Sequence, residues 1–318
     1  MRYIIPTICV LFSLQLRAQN AATFQHDTAY RLGTTQKSTT GKRILFVTTG
    51  NVLAYGGTMI ALYATWYKNY PQSNFHFFND NKEWLQVDKA GHTWSAYTEG
   101  RVCIGLWQWA GMSRKKSIWI GGLSGLGYQT IIEVLDGFSS QWGFSWGDYV
   151  GNAVGSALLI SQELGWKEQR IQLKFSSHRR NYGTDMLNQR ADAIYGNNLP
   201  ERILKDYNVQ TYWLSANIHS FFKTSRIPGW FNIAVGYGAE GMFGALDNTW
   251  ADKNGIKYDR SDIKRYRQFY IAPDIDFTKI KSKSKFLRTT FFILNSFKFP
   301  TPSLEFSNQK IKWNWIHF

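Results

Sequence analysis

Cysteine is almost missing from this chain. Of 318 residues only Cys9 and Cys103 carry a thiol. Cys9 falls inside Met1 to Gln19, which reads as a secretory signal peptide. Arg2 supplies its charge, Ile4 to Leu16 its apolar run, and Ala18-Gln19 its cleavage point. Cys9 lies too early in that run for a lipobox, so lipid anchoring is not expected. Removal of the leader leaves Cys103 alone and excludes an internal disulfide. Export needs none, because a chain of this length can bury a core without covalent staples. Acidic residues are also few, 22 against 37 lysines and arginines, which leaves a net charge of +15. That balance fits an anionic partner: envelope lipid, lipopolysaccharide or cell-wall glycan. Lysines and arginines that only solvate strand faces fit it as well. Nucleic acid is excluded by export and by the lack of any nucleic-acid motif. No internal repeat or low-complexity segment occurs. The metalloprotease pattern His-Glu-x-x-His is missing too.

What is present falls into two parts. Residues 20–43 form a polar lead-in, expected to be flexible. Ile44 to Tyr67 then runs without a charge, long enough to span a bilayer if helical. Its threonines, asparagine and glycines dilute the apolarity, so a buried or interfacial helix fits equally. Tyr70-Pro71 ends it. Further helices are expected over Leu85–Gly111, Lys116–Leu135 and Trp146–Glu163. Ser145 is placed to cap the last of them, and Gly165 to close it. After Trp166 the period changes to two. Gln169–Ser176, Val209–Phe222, Trp230–Phe243, Arg265–Ile280 and Ser303–Phe318 alternate apolar or aromatic with polar residues. About five long strands follow, with a helix over Lys285–Phe297. The expected fold is α+β. A compact unit of about four helices, residues 44–165, precedes a β-rich antiparallel unit, residues 166–318, built as a partial or barrel-like sheet. Aromatic alternation ending on Phe318 resembles that of outer-membrane β-proteins, although five strands fall short of a complete bacterial barrel.

The chemistry concentrates in the helices. Asp88 and Lys89 precede His92, Glu133 precedes Asp136, and Asp148 precedes Asn152. Residues three or four apart share a helix face, so Asp88 sits with His92, Glu133 with Asp136, and Asp148 with Asn152. Polar groups on apolar helices cost free energy unless they pair. They form either a site or a satisfied polar lock, with Lys89 available to neutralise Glu133 or Asp136. Gly143-Phe144-Ser145-Trp146-Gly147 has the letters of a nucleophile elbow. That motif needs a strand before it and catalytic Asp and His after it, so Ser145 reads better as a cap.

The order Asp88-Lys89-x-x-His92, Glu133, Asp148-x-x-x-Asn152-x-x-Gly155 resembles VanZ-like envelope proteins. A closer resemblance is to the YfiM-like family of predicted periplasmic lipoproteins. That family shares Asp-Lys-x-x-His and the run seen here as Asp136-Gly137-Phe138-Ser139 and Gly143-Phe144-Ser145-Trp146-Gly147-Asp148. The likeness covers roughly residues 84–165. It implies an exported protein of the periplasm or outer membrane, and supplies no activity, cofactor or metal. The expectation is a non-enzymatic envelope component that binds lipid or glycan, or a scaffold that docks a β-protein. The alternative is a hydrolase or transferase using Asp88, His92, Glu133 and Asp148 on an envelope lipid or polymer, with His92 as general base or with carboxylates and imidazole around a metal.

Overall fold

The computed structural model describes residues 35–63, 71–252 and 254–318. The leader, with Cys9, and residues 20–34 of the lead-in lie outside them. Helices α1 (Thr35–Leu62), α2 (Val87–Trp109), α3 (Arg114–Gly137) and α4 (Trp146–Gly165) come first. The second to fourth lie within two residues of their expected bounds. The first begins at Thr35, inside the presumed lead-in. No helix among the described residues is long and apolar enough to cross a membrane. The chain divides into two units.

The helical unit takes the described residues up to Phe78, Ser95–Gln169 and Lys281–Ile293. Its apolar core gathers Val47, Val102, Cys103, Leu106, Trp107 and Ala110, flanked by Ile44, Tyr55 and Phe292. The helices touch through glycine. A Cβ on Gly121 would stand 2.5 Å from the backbone nitrogen of Ile104, and one on Gly125 would strike the Ala96 carbonyl oxygen. Absent side chains let α3 lie directly on the α2 backbone. The loop before residue 79 pairs with the end of α3. His76 N–H donates to the Gly137 carbonyl at 2.9 Å, and Phe78 N–H to that of Phe144 at 3.0 Å. Phe75, Phe77, Phe144, Trp146 and Tyr149 make a run of ring contacts there.

The β-rich unit takes Asn79–Trp94, Arg170–Ile280 and Leu294–Phe318. It contains β1 (Ile171–Ser177), α5 (Asp185–Tyr195), α6 (Leu199–Lys205), β2 (Gln210–Asn217), α7 (Ile218–Phe221), β3 (Phe231–Glu240) and the small pair β4 (Thr249–Ala251) and β5 (Lys257–Asp259). β6 (Tyr266–Ile275), β7 (Thr301–Ser307) and β8 (Lys310–His317) complete it, while α8 (Lys285–Leu294), lying almost wholly in the helical unit's share, comes between β6 and β7. Six strands form one antiparallel sheet in the order β1-β2-β3-β6-β7-β8. The final run, expected as one strand, is a hairpin. Asn308 and Gln309 both hold positive φ, 47° and 60°, as the favoured two-residue hairpin turn requires. Helices α5 and α6 were not anticipated, because 178–206 carries no clear apolar period. Their caps were nevertheless in the sequence. Thr184 Oγ1 accepts from Leu187 N–H, and Asn198 Oδ1 from Glu201 N–H.

The two faces of this sheet differ in burial and in polarity. The inner face is buried and combines a polar network with the apolar cluster of Trp213, Ala234, Tyr270 and Ala272. Lys174, with no exposed surface, pairs with Asp274 at 2.7 Å. Ser215 Oγ donates to the same carboxylate at 2.6 Å, and Asn232 Nδ2 donates to Ser215 Oγ at 2.8 Å. The sheet curls over this face. His317 of β8 stacks on Tyr270 of β6 at 4.1 Å and meets Trp213 of β2 edge-on at 5.7 Å. The outer face is apolar and exposed. Leu214, Val235, Ile271, Leu304 and Trp313 stand side by side across five strands. Phe269, Phe306 and Ile311 make a second exposed row.

Candidate functional site

The polar residues singled out from sequence are contributed by both units. In the β-rich unit, the chain enters α2 through a left-handed turn. Trp84, Leu85 and Gln86 have φ of 47°, 50° and 63°. Three consecutive non-glycine residues in this region cost about 1–2 kcal/mol each, so the turn must be held from outside. Trp84 N–H donates to the Ala245 carbonyl at 2.8 Å, Tyr237 Oη donates to the Leu85 carbonyl, and an Arg267 guanidinium nitrogen reaches Gln86 Oε1 at 2.5 Å. Strain of this kind persists where surrounding structure imposes it, and it gathers at functional positions.

The turn delivers Asp88 and Lys89. Lys89 Nζ bridges two carboxylates, Asp80 Oδ1 at 2.7 Å and Asp88 Oδ2 at 2.9 Å. The place a cation would take between Asp80 and Asp88 is thus held by an ammonium group. Burial pushes the Asp88 carboxyl above its ordinary range, and the attraction of Lys89 and His92 opposes the rise. His92 lies one turn further along the same helix and is partly buried. Asp80 was missed from sequence. It precedes the helix, where no periodicity marks it.

In the helical unit, Glu133 on α3 is 2% exposed and accepts from the Ser145 N–H at 3.3 Å. Ser145 Oγ accepts from the Asp148 N–H at 3.1 Å, which makes Ser145 the cap of α4. An elbow would present that hydroxyl to solvent, whereas Ser145 is buried. Asp148 occupies the first turn of α4, where unpaired N–H groups and the helix dipole favour a negative charge. Asn152 and Ser156 follow at four-residue steps, both fully buried. Asp136 sits in the last turn of α3, with Ser139 N–H donating to its carbonyl at 3.0 Å. Glu133, Ser145 and Asp148 are therefore brought together, with Asn152 and Ser156 continuing the stripe.

A further cluster escaped the sequence reading. Tyr55 Oη lies 3.2 Å from Cys103 Sγ. Burial raises the Glu99 carboxyl to about 8, against a hydrogen bond from Tyr55 that lowers it. Burial, with Glu99 adding to it, raises the Cys103 thiol to about 11. Cys103 is thus held as a thiol, the form that is not nucleophilic. The signal was present: Glu99 and Cys103 are four apart and continue the stripe from Asp88 and His92.

The fold and these clusters define an α+β protein in which the helical unit keeps polar groups inside and the sheet turns its apolar face out. Residues 76–161 match the model of the family described as predicted periplasmic lipoprotein (DUF2279), the description of an exported envelope protein without an assigned activity. The likeness to VanZ-like proteins gains no support from this match. No curated protein and no solved structure matches the chain.

Proposed function

We propose that this chain is a non-enzymatic, lipid-associated component of the outer membrane, with the outer face of its sheet against hydrocarbon. The observation that carries the proposal is the difference between the two faces of the sheet. Side chains from Leu214 to Trp313 form an exposed apolar row, while the opposite face buries Lys174, Asp274, Ser215 and Asn232. Lipid-facing apolar and inward-facing polar residues alternate in this way in transmembrane β-proteins. Burying a large apolar side chain completely contributes about 1.5–3 kcal/mol. These are already half covered, so each gains roughly 1 kcal/mol and the two rows together on the order of 10 kcal/mol. The positive net charge adds attraction for anionic head groups. In this reading the carboxylate clusters lock the helices in place, as satisfied buried networks do.

Fractionation tests the proposal. The native chain should stay in the membrane pellet through an alkaline carbonate wash and leave it only with detergent. Val235→Asp together with Ile271→Asp should release it, since a charge on a lipid face is costly. Recovery of the unaltered chain in the soluble fraction without detergent would overturn the reading.

A further inference from the structure

We infer that β8 is the seam of a two-fold dimer, in which a second copy of this chain adds its own β8 antiparallel to the first. The inference rests on the lipid-facing reading of the sheet. β8 pairs with β7 on one side, and no strand pairs with its other side among the described residues. β1, at the far end of the sheet, is different. Phe175 N–H donates to the Ser296 carbonyl at 3.1 Å, and Lys298 N–H to the Phe175 carbonyl at 2.9 Å. The β1 edge is engaged by its own chain at Phe175, and no such bridge reaches the β8 edge among the described residues. Unpaired backbone groups are not tolerated against hydrocarbon.

The usual protections of an edge strand are a lysine on the edge, a proline, a bulge or a very short strand. β8 has eight residues and no proline, and its one register shift, opposite Thr301–Ser303, falls beyond Asn314. Lys312 is turned to the polar face, where its Nζ lies 3.3 Å from Glu305. Trp315 is 77% exposed and Ile316 66%.

The occupant follows from register. In the two-residue hairpin, Lys310 pairs with Ser307 next to the turn, and alternation then aims the backbone groups of Ile311 and Trp313 at the open edge. A two-fold axis must therefore pass through a residue rather than between two; an axis through Lys312 would set two lysines opposite each other, so the axis falls on Trp313. That register sets Trp313 beside Trp313, Ile311 beside Trp315 and Lys312 beside Asn314. From Ile311 to Trp315 apolar meets apolar on the outer face, polar meets polar on the inner face, and no two like charges stand opposite. Pairing of one edge with its own copy makes the contact isologous, so assembly closes at two copies.

Cysteine cross-linking of the full chain in membranes tests this. The native Cys103 is buried, so the background is low. Trp313→Cys should move most of the protein to a band of twice the mass on oxidation. Ile311→Cys alone should not, whereas Ile311→Cys mixed with Trp315→Cys should. Leu214→Cys, exposed but four strands away from β8, should stay monomeric. Ile311→Pro, which removes an N–H at the open edge, should abolish the Trp313→Cys cross-link. A Trp313→Cys chain that stays monomeric in the carbonate-resistant pellet, or that cross-links to a different protein, would overturn the dimer and leave the membrane reading standing. A chain washed into the soluble fraction would instead overturn the membrane reading on which the dimer depends.

Discussion

Alanine at three glycines of α3 should have effects of opposite sign, and the difference between them measures how closely two helices approach. Glycine is about 1 kcal/mol worse than alanine inside a helix. Gly127 meets nothing within 4 Å, so Gly127→Ala should stabilise the protein by about that amount. At Gly125 the new methyl group would run into the Ala96 carbonyl and stand 2.9 Å from the Ala96 Cα. At Gly121 it would stand 2.5 Å from the Ile104 nitrogen and 2.7 Å from its Cα. These obstacles are backbone atoms of α2 and cannot swing aside as a side-chain tip does. Overpacking of this kind costs about 1–3 kcal/mol. The helix-propensity gain is common to all three variants and cancels in the comparison. Gly125→Ala and Gly121→Ala should therefore fall below Gly127→Ala by about 1–3 kcal/mol. The check is the urea midpoint, with thermal melting followed by tryptophan fluorescence in the same buffer. If Gly125→Ala proved as stable as Gly127→Ala, α2 and α3 would not be in backbone contact and the account of the helical core would fail.

Four further outcomes are expected. Glu99 has its carboxyl raised from about 4.5 to about 8 by burial, so its uncharged form is the one the fold favours. Stability from this group is full below pH 4.5 and is lost as pH rises towards 8; Glu99→Gln should flatten that slope in melts across the range, and an unchanged slope would refute it. Ser145→Ala removes the cap of α4 and should lower stability by about 1 kcal/mol, read from chemical denaturation. His92→Ala should cost about 1–3 kcal/mol if the polar residues are a lock; an unchanged melt with loss of an envelope activity would point to a site instead. Gln309→Gly relieves a positive φ in the hairpin and should raise the melting midpoint, by up to about 1 kcal/mol in stability.

Helices α2 to α4 were legible because their signals are local. Ser145, three residues before Asp148, writes the start of α4 directly into the chain, and period-two alternation writes most of the sheet. What the sequence hides depends on distant partners. Nothing near Asp80 tells that Lys89 will bridge it to Asp88. The left-handed turn at Trp84–Gln86 contains no glycine or asparagine to announce it, because contacts to Ala245, Tyr237 and Arg267 impose it from far along the chain. The hairpin between β7 and β8 went unseen for a similar reason: Gln309 takes a position where glycine is the usual sign. The two faces of the sheet were half visible. Alternation told which residues share a side but not which side is buried.

The left-handed turn also bears on how this protein can be cut. The stretch that matches the family model, 76–161, includes Asn79–Trp94, yet that segment belongs with the strands. Expressed alone, the matched stretch would lose Ala245, Tyr237 and Arg267, the residues that hold Trp84 to Gln86 in their costly conformation. The entrance to α2 would unwind and carry Asp88 and Lys89 with it. The stretch that matches the family model and the compact units of the structure are thus different lengths of chain, and a fragment trimmed to the first would lack contacts that those units supply.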